Sequence, residues 1–223
     1  MREFLRWYGM LNAWILQLAF FKRKTYYEDK SVQGRYIKGG ALVVSNHFHV
    51  FDYMMTAYAV IFRKLYVVMR SDVAQTPFKK WIMSIFGGIL SDRDVNGMKF
   101  VDESVSLLRK GRVVQIFPEA YITTDGNMRD FKYGYIMIAQ RADKPIIPII
   151  SDGNYGWLKR THIIIGKPIL LSDYCPLAYP SKEDIAELNS IVYNKCVELK
   201  AELDRRIAED KKRGSITKKG TAQ

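Results

Sequence analysis

Two of the three histidines in the chain, His47 and His49, fall in the stretch Ser45-Asn46-His47-Phe48-His49-Val50-Phe51-Asp52, between the apolar run Ala41-Leu42-Val43-Val44 and a second apolar run that begins at Tyr53. An imidazole and a carboxylate five residues apart lie on different faces of a regular helix, but a loop that enters a helix at Asp52 folds the carboxylate back toward the ring. The aspartate then bonds one ring nitrogen, fixes the tautomer and leaves the other nitrogen to accept a proton. Ser45 lies two residues before His47 with no Gly-x-Ser-x-Gly context, so the attacking hydroxyl is expected to belong to a substrate. The chemistry implied is direct transfer to an alcohol. Two other readings stay open on spacing alone. Asn46 and Asp52 can cap the following helix, with His47 satisfied locally. Alternatively His47, His49 and Asp52 can share a metal, although His162 is the one other imidazole and no further ligand-spaced cluster accompanies them. No metal is therefore expected, and His49 reads as a loop residue or the wall of a substrate groove.

A base and its orienting carboxylate need a rigid frame, and the surrounding sequence supplies one. From Gly40 onward, short β-branched runs (ALVVS, LYVVM, GILS, RVVQIF, PIIPIIS, THIIIG) alternate with helical patterns. This alternation indicates an α/β fold, a mostly parallel central sheet flanked by helices. The strands are continuous apolar runs, as a sheet covered on both faces requires. Catalytic residues then belong in the loops at strand ends. From Ser181 a Ser-x-x-Asp cap and apolar Ile185, Leu188, Val192, Cys196, Leu199, Leu203 and Ile207 at three- and four-residue steps predict an amphipathic C-terminal helix.

The 223 residues suit one domain with peripheral segments, and no internal repeat or second core is visible. Residues 1–30 read as an N-terminal membrane-interface or docking segment, 31–210 as the catalytic domain, and 211–223 as a basic, flexible tail. The apolar stretch at residues 7–21 is interrupted by Asn12 and Gln17 and is short for a membrane span. Its tryptophans and tyrosine, followed by Lys22-Arg23-Lys24, suit a helix lying in a headgroup layer; packing on the domain is the other reading. The net charge of +12 favours anionic partners. Cys175 and Cys196 show neither a Cys-x-x-Cys spacing nor a disulfide pattern and read as reduced thiols.

The order of four short motifs resembles the glycerolipid acyltransferase family, the lysophosphatidic acid acyltransferases of phospholipid synthesis. Asn46, His47 and Asp52 match its first motif, Asn-His followed by four residues and Asp. The stretch GGILSDR, ending in Arg93, resembles the second, and FPEA at Phe117 to Ala120 resembles the third, Phe-Pro-Glu-Gly. PIIPII around Pro148 resembles the fourth. The chain departs from the family at Ala120, where glycine is usual, and at Tyr121 and Ile122, where threonine and arginine often stand.

The resemblance implies an O-acyltransferase acting on 1-acylglycerol-3-phosphate, with His47 and Asp52 catalytic and with Asn46, Arg93, Glu119 and Lys132 as substrate-binding residues. Arg93 stands at the phosphate position, with Lys132 and Arg129 as further cations. For Glu119 two roles are open: a contact to the hydroxyl region of the acceptor, or a tie between the active-site loops. No cofactor is implied, because acyl-CoA or acyl-carrier protein serves as co-substrate. The implied partners are a lysophospholipid acceptor, that acyl donor and an anionic membrane surface, with the enzyme peripheral on the inner face of the cell membrane. Nucleic acid is not an expected partner. The alternatives are a non-catalytic basic protein that binds membrane or nucleic acid, and an acyl thioesterase in which water replaces the alcohol.

Overall fold

Runs of four to six mostly β-branched residues pair as strands because their side chains are covered on both faces. The computed structural model describes residues 1–20, 22–91, 98–123, 125–157, 159–177 and 180–220, with backbone alone at Arg2, 13–20 and 214–220. The elements are α1 (Arg2–Phe20), β1 (Lys24–Tyr27), β2 (Ala41–Val44), α2 (Asp52–Ala59), β3 (Leu65–Arg70) and α3 (Pro77–Phe86). There follow β4 (Gly88–Ser91), α4 (Lys99–Arg109), β5 (Val113–Ile116), α5 (Gly134–Ala142), β6 (Ile146–Ser151), β7 (His162–Ile165) and α6 (Lys182–Gly220). Among the described residues the sheet has seven strands in the order β1-β7-β6-β2-β5-β3-β4. Every neighbouring pair is parallel except β6 with β7.

This is the mostly parallel α/β sheet expected from the alternating pattern. Along β2 the side chains alternate between two cores. Leu42 and Val44 enter the layer of α4, α5 and α6, while Ala41 and Val43 enter the layer that contains Met10 of α1 and Ala57 and Tyr58 of α2. Each fully buried Leu or Ile here contributes about 1.5–3 kcal/mol. The carboxyl ends of the adjacent parallel strands β6, β2 and β5 therefore face one edge of a rigid sheet.

At the start of α6, Asp184 donates its backbone N–H to Ser181 Oγ at 3.1 Å, and Ser181 returns its own N–H to Asp184 Oδ2 at 2.8 Å. Leu188, Val192, Cys196, Leu199 and Leu203 are buried, as the periodicity requires. Two features differ from the sequence reading. Residues 24–27, assigned to the N-terminal segment, form an edge strand on β7 whose Lys24 and Tyr26 bond Asp210 of α6. Residues 211–220, assigned to a flexible tail, continue α6, because adding a turn to a helix already nucleated and pinned costs little.

Candidate active site

Three loops meet at the shared edge of β6, β2 and β5. The first, after β2, turns so that Asp52 opens α2, where the positive end of the helix dipole favours a carboxylate. Asp52 is 1% exposed. Its Oδ2 accepts the backbone N–H groups of Phe48 at 2.7 Å and His49 at 2.6 Å and faces His47 Nδ1 at 3.2 Å. Its Oδ1 accepts the hydroxyl of Tyr155. These donors offset the cost of burying the charge. The spacing expectation is thus realised in geometry: the carboxylate folds back onto the imidazole.

With Nδ1 turned to Asp52, Nε2 is the nitrogen able to take a proton from a bound hydroxyl. The His47 side chain is 20% exposed, enough for a substrate to reach it. Its ring stacks on Phe117 at 4.1 Å between centroids. Its backbone is clamped as well, the N–H donating to Glu119 Oε1 at 3.0 Å and the carbonyl accepting Thr123 N–H at 2.8 Å. Ser45 is buried, and its hydroxyl accepts from Gln115 Nε2 at 3.1 Å. Gln115 also donates to Thr56, whose hydroxyl bonds Asp52 O at 3.0 Å, so a buried polar chain supports the dyad from below.

Glu119, in the second loop, is 2% exposed. Besides His47 N–H, it accepts Arg129 N–H at 3.0 Å and the Thr123 hydroxyl at 3.3 Å. Of its two expected roles, this geometry provides the tie between loops. Burial raises its pKa above the usual carboxylate value, opposed by the hydrogen bonds from Arg129, His47 and Thr123. A raised folded pKa means that the neutral form favours folding below the unfolded pKa, and that this contribution is lost as pH rises through the folded pKa. Wild type is therefore expected to lose stability relative to Glu119→Gln as pH rises through the carboxylate range, as thermal melts at a series of pH values will show. A difference independent of pH would contradict the buried-carboxyl description.

Ala120, directly after Glu119, adopts φ 61°, the left-handed region where glycine is at ease and an L-residue pays about 1–2 kcal/mol. The departure from the glycine of the family motif is thus a strained position. Ala120→Gly is expected to raise stability by about 0.5–1 kcal/mol after the greater freedom of the unfolded glycine chain is counted. An unchanged or lower melting temperature would remove the strain argument.

Asn46, expected among the substrate contacts, has no exposed surface. Its amide donates to Ser151 O and accepts Ser151 N–H, both at 2.9 Å, joining the ends of β2 and β6. Lys132 is exposed beside the Glu119 turn, with its backbone N–H on Pro118 O at 2.9 Å, and Arg129 is likewise exposed. Arg93 lies outside the described residues.

The third loop supplies what the sequence reading missed. Gly153, at φ 67°, packs so closely on Phe48 that an added Cβ would approach its ring at 2.8 Å, and the turn delivers Tyr155 to Asp52. Burial, and then the Asp52 charge, push the Tyr155 pKa well above that of a free phenol, so the hydroxyl stays a donor. The turn residues Gly153 and Asn154 at a strand end were the available signal. The same three loops expose Val50, Phe51, Tyr121, Ile122 and Trp157, an apolar rim suited to an aliphatic chain.

The chain matches the Acyltransferase family model over residues 22–152. A 1-acyl-sn-glycerol-3-phosphate acyltransferase of Bacillus subtilis is 26% identical over 174 residues, which cover 74% of this chain and 84% of that protein. One from Pseudomonas aeruginosa is 29% identical over 139 residues, 57% of this chain and 52% of that protein. A chloroplastic one from Brassica napus is 28% identical over 163 residues, 67% and 46%. The matches thus span about half the length of the latter two relatives. In fold, the chain is similar to the crystal structure of the 1-acyl-sn-glycerophosphate acyltransferase PlsC from Thermotoga maritima, with a TM-score of 0.60 at 18% identity, covering 90% of this chain and 83% of that one.

Proposed function

Because the chain belongs to the Acyltransferase family, as its four ordered motifs implied, we propose that it moves an acyl group from acyl-CoA or acyl-carrier protein to the free hydroxyl of 1-acylglycerol-3-phosphate, giving phosphatidic acid. The observation that carries this reading is the His47 to Asp52 contact at 3.2 Å, a pair that lies inside the matched region where three loops converge. The similarity to 1-acyl-sn-glycerol-3-phosphate acyltransferases supports this acceptor.

In this mechanism His47 Nε2 takes the proton of the acceptor hydroxyl as its oxygen attacks the thioester carbonyl. The tetrahedral oxyanion collapses, the carbon–sulfur bond breaks, and the departing thiolate receives the proton from the imidazolium. Asp52 holds the ring and stabilises its positive form. The enzyme forms no acyl intermediate, a feature that the buried, bonded Ser45 supports. No cofactor or metal takes part.

Arg93 holds the acceptor phosphate, with the exposed Lys132 and Arg129 adding positive charge. Arg93→Gln is expected to raise the KM for the acceptor about tenfold or more with a small change in kcat, and an unchanged KM would take it out of the phosphate site.

The enzyme works as a peripheral protein on the inner face of the cell membrane. Among the described residues no helix is long and apolar enough to cross a membrane. The packed pair α1 and α3 leaves Phe4, Trp7, Tyr8, Phe78 and Trp81 exposed, a surface suited to the interface. Nucleic acid has no part in this reading. The test presents acyl-CoA and acyl-carrier protein, in turn, with 1-acylglycerol-3-phosphate or with monoacylglycerol. Transfer is expected with the phosphate-bearing acceptor and at least one donor; equal rates on monoacylglycerol would overturn the acceptor assignment.

A further inference from the structure

A second concentration of charge lies along the outer edge of the sheet. An open groove of about 590 Å³ is lined by Arg23, Tyr27, Lys30, Arg35, Tyr36 and Phe62. Lys24 also borders it, but its ammonium bonds Asp210. Among the described residues no aspartate or glutamate lines the groove. The nearest acids along the chain are committed elsewhere: Glu28 pairs with Lys195 at 2.8 Å, and Asp29 accepts the N–H and hydroxyl of Ser31 at 3.0 and 2.6 Å.

Arg23 lines the groove, and its Nε and Nη1 are buried from solvent with no hydrogen-bond partner among the described residues. Buried guanidinium nitrogens are ordinarily bonded, so two orphaned donors call for an acceptor. Burial, and then the neighbouring Arg35 guanidinium, push the Arg23 pKa down to about 10, which leaves it cationic at neutral pH. Two cations that repel one another, with no carboxylate among the described lining residues, leave the groove short of a counter-charge.

We propose that this groove binds a phosphate ester, with Arg23 and Arg35 as its guanidinium ligands and Lys30 as a peripheral cation. A phosphate monoester presents three free oxygens and up to two negative charges to two forked donors, against the two oxygens and single charge of a carboxylate. Phe62 and Tyr36, both exposed, give the rim an apolar flank for the organic part of the ester. The groove shares no residue with the His47 and Asp52 site, and the inference does not depend on the acyl-transfer reading. The phosphate can be carried by a lipid headgroup or by a soluble ester. Tyr27 packs in the same core as Met10 of α1, the helix with exposed aromatic residues, which favours the lipid.

The test uses the full chain in an Arg93→Gln background, so that the proposed acceptor-phosphate residue does not contribute. Inorganic phosphate is titrated by calorimetry, and flotation is measured with phosphatidylcholine vesicles with and without phosphatidylglycerol. Arg35→Gln removes an exposed side chain and is expected to keep the melting temperature of its parent, while Arg23→Gln probes the buried donors. Each is expected to weaken phosphate binding by about tenfold or more. A parallel loss of phosphatidylglycerol-dependent flotation identifies a lipid headgroup; loss of phosphate binding with flotation unchanged identifies a soluble ester. No phosphate binding by the parent, or binding unaltered in Arg35→Gln, overturns the proposal.

Discussion

Replacing His47 with alanine is expected to lower kcat by about 10²–10⁴-fold while the protein stays folded. The fold should survive because the imidazole is a partly exposed ring whose packing partner is Phe117. Asp52 keeps two backbone N–H donors and the Tyr155 hydroxyl when the ring is gone, so no buried charge is left unpaired. The backbone clamps from Glu119 and Thr123 do not involve the side chain at all. Initial rates and thermal melts measured on the same preparation check both halves. A folded His47→Ala enzyme with near-normal kcat would exclude His47 as the base.

Asp52→Asn is expected to lower kcat by about 10³–10⁴-fold with the KM values little changed, through loss of the charge that orients and stabilises the imidazolium. The substitution is nearly isosteric, and the hydrogen-bond inventory shows why the fold can accept it. An asparagine can keep its oxygen toward the N–H groups of Phe48 and His49, which a turn at the start of α2 holds in place. Its amide NH2 then faces Tyr155, whose hydroxyl can rotate from donor to acceptor. The remaining defect is electrostatic, since a neutral amide does not compensate an imidazolium. Wild-type turnover in a folded Asp52→Asn variant would reduce the carboxylate to a helix-starting residue, the capping reading that spacing alone left open.

How far the molecule can be read from its sequence differs by element, for physical reasons. β2, β5 and β6 are legible because a strand buried on both faces must be apolar throughout, and α6 because one face of a long helix must be apolar at regular steps. β1 is not legible: Lys-Thr-Tyr-Tyr carries no such pattern, and it is a strand because β7 and Asp210 of α6 lie beside it. At the site, the five-residue spacing from His47 to Asp52 reports their pairing because both lie on one short loop. Tyr155 reaches Asp52 from 103 residues away, which no local pattern encodes. Asn46 and Glu119 are recognisable as motif residues, but their roles as ties depend on Ser151 and Arg129, brought close by the fold. Ala120 is visible in the sequence as a departure from glycine, whereas its left-handed backbone is visible in the structure alone.

A lipid hydroxyl activated by His47 is expected to attack the thioester directly. Thiol release from acyl-CoA, followed with and without 1-acylglycerol-3-phosphate and with the lipid product identified, tests it most directly when wild type and folded His47→Ala are compared, acyl-carrier protein serving as donor in parallel. Release that requires the acceptor, requires His47 and yields phosphatidic acid is the expected result. Release without acceptor, yielding free fatty acid, would contradict it and assign the site to thioester hydrolysis.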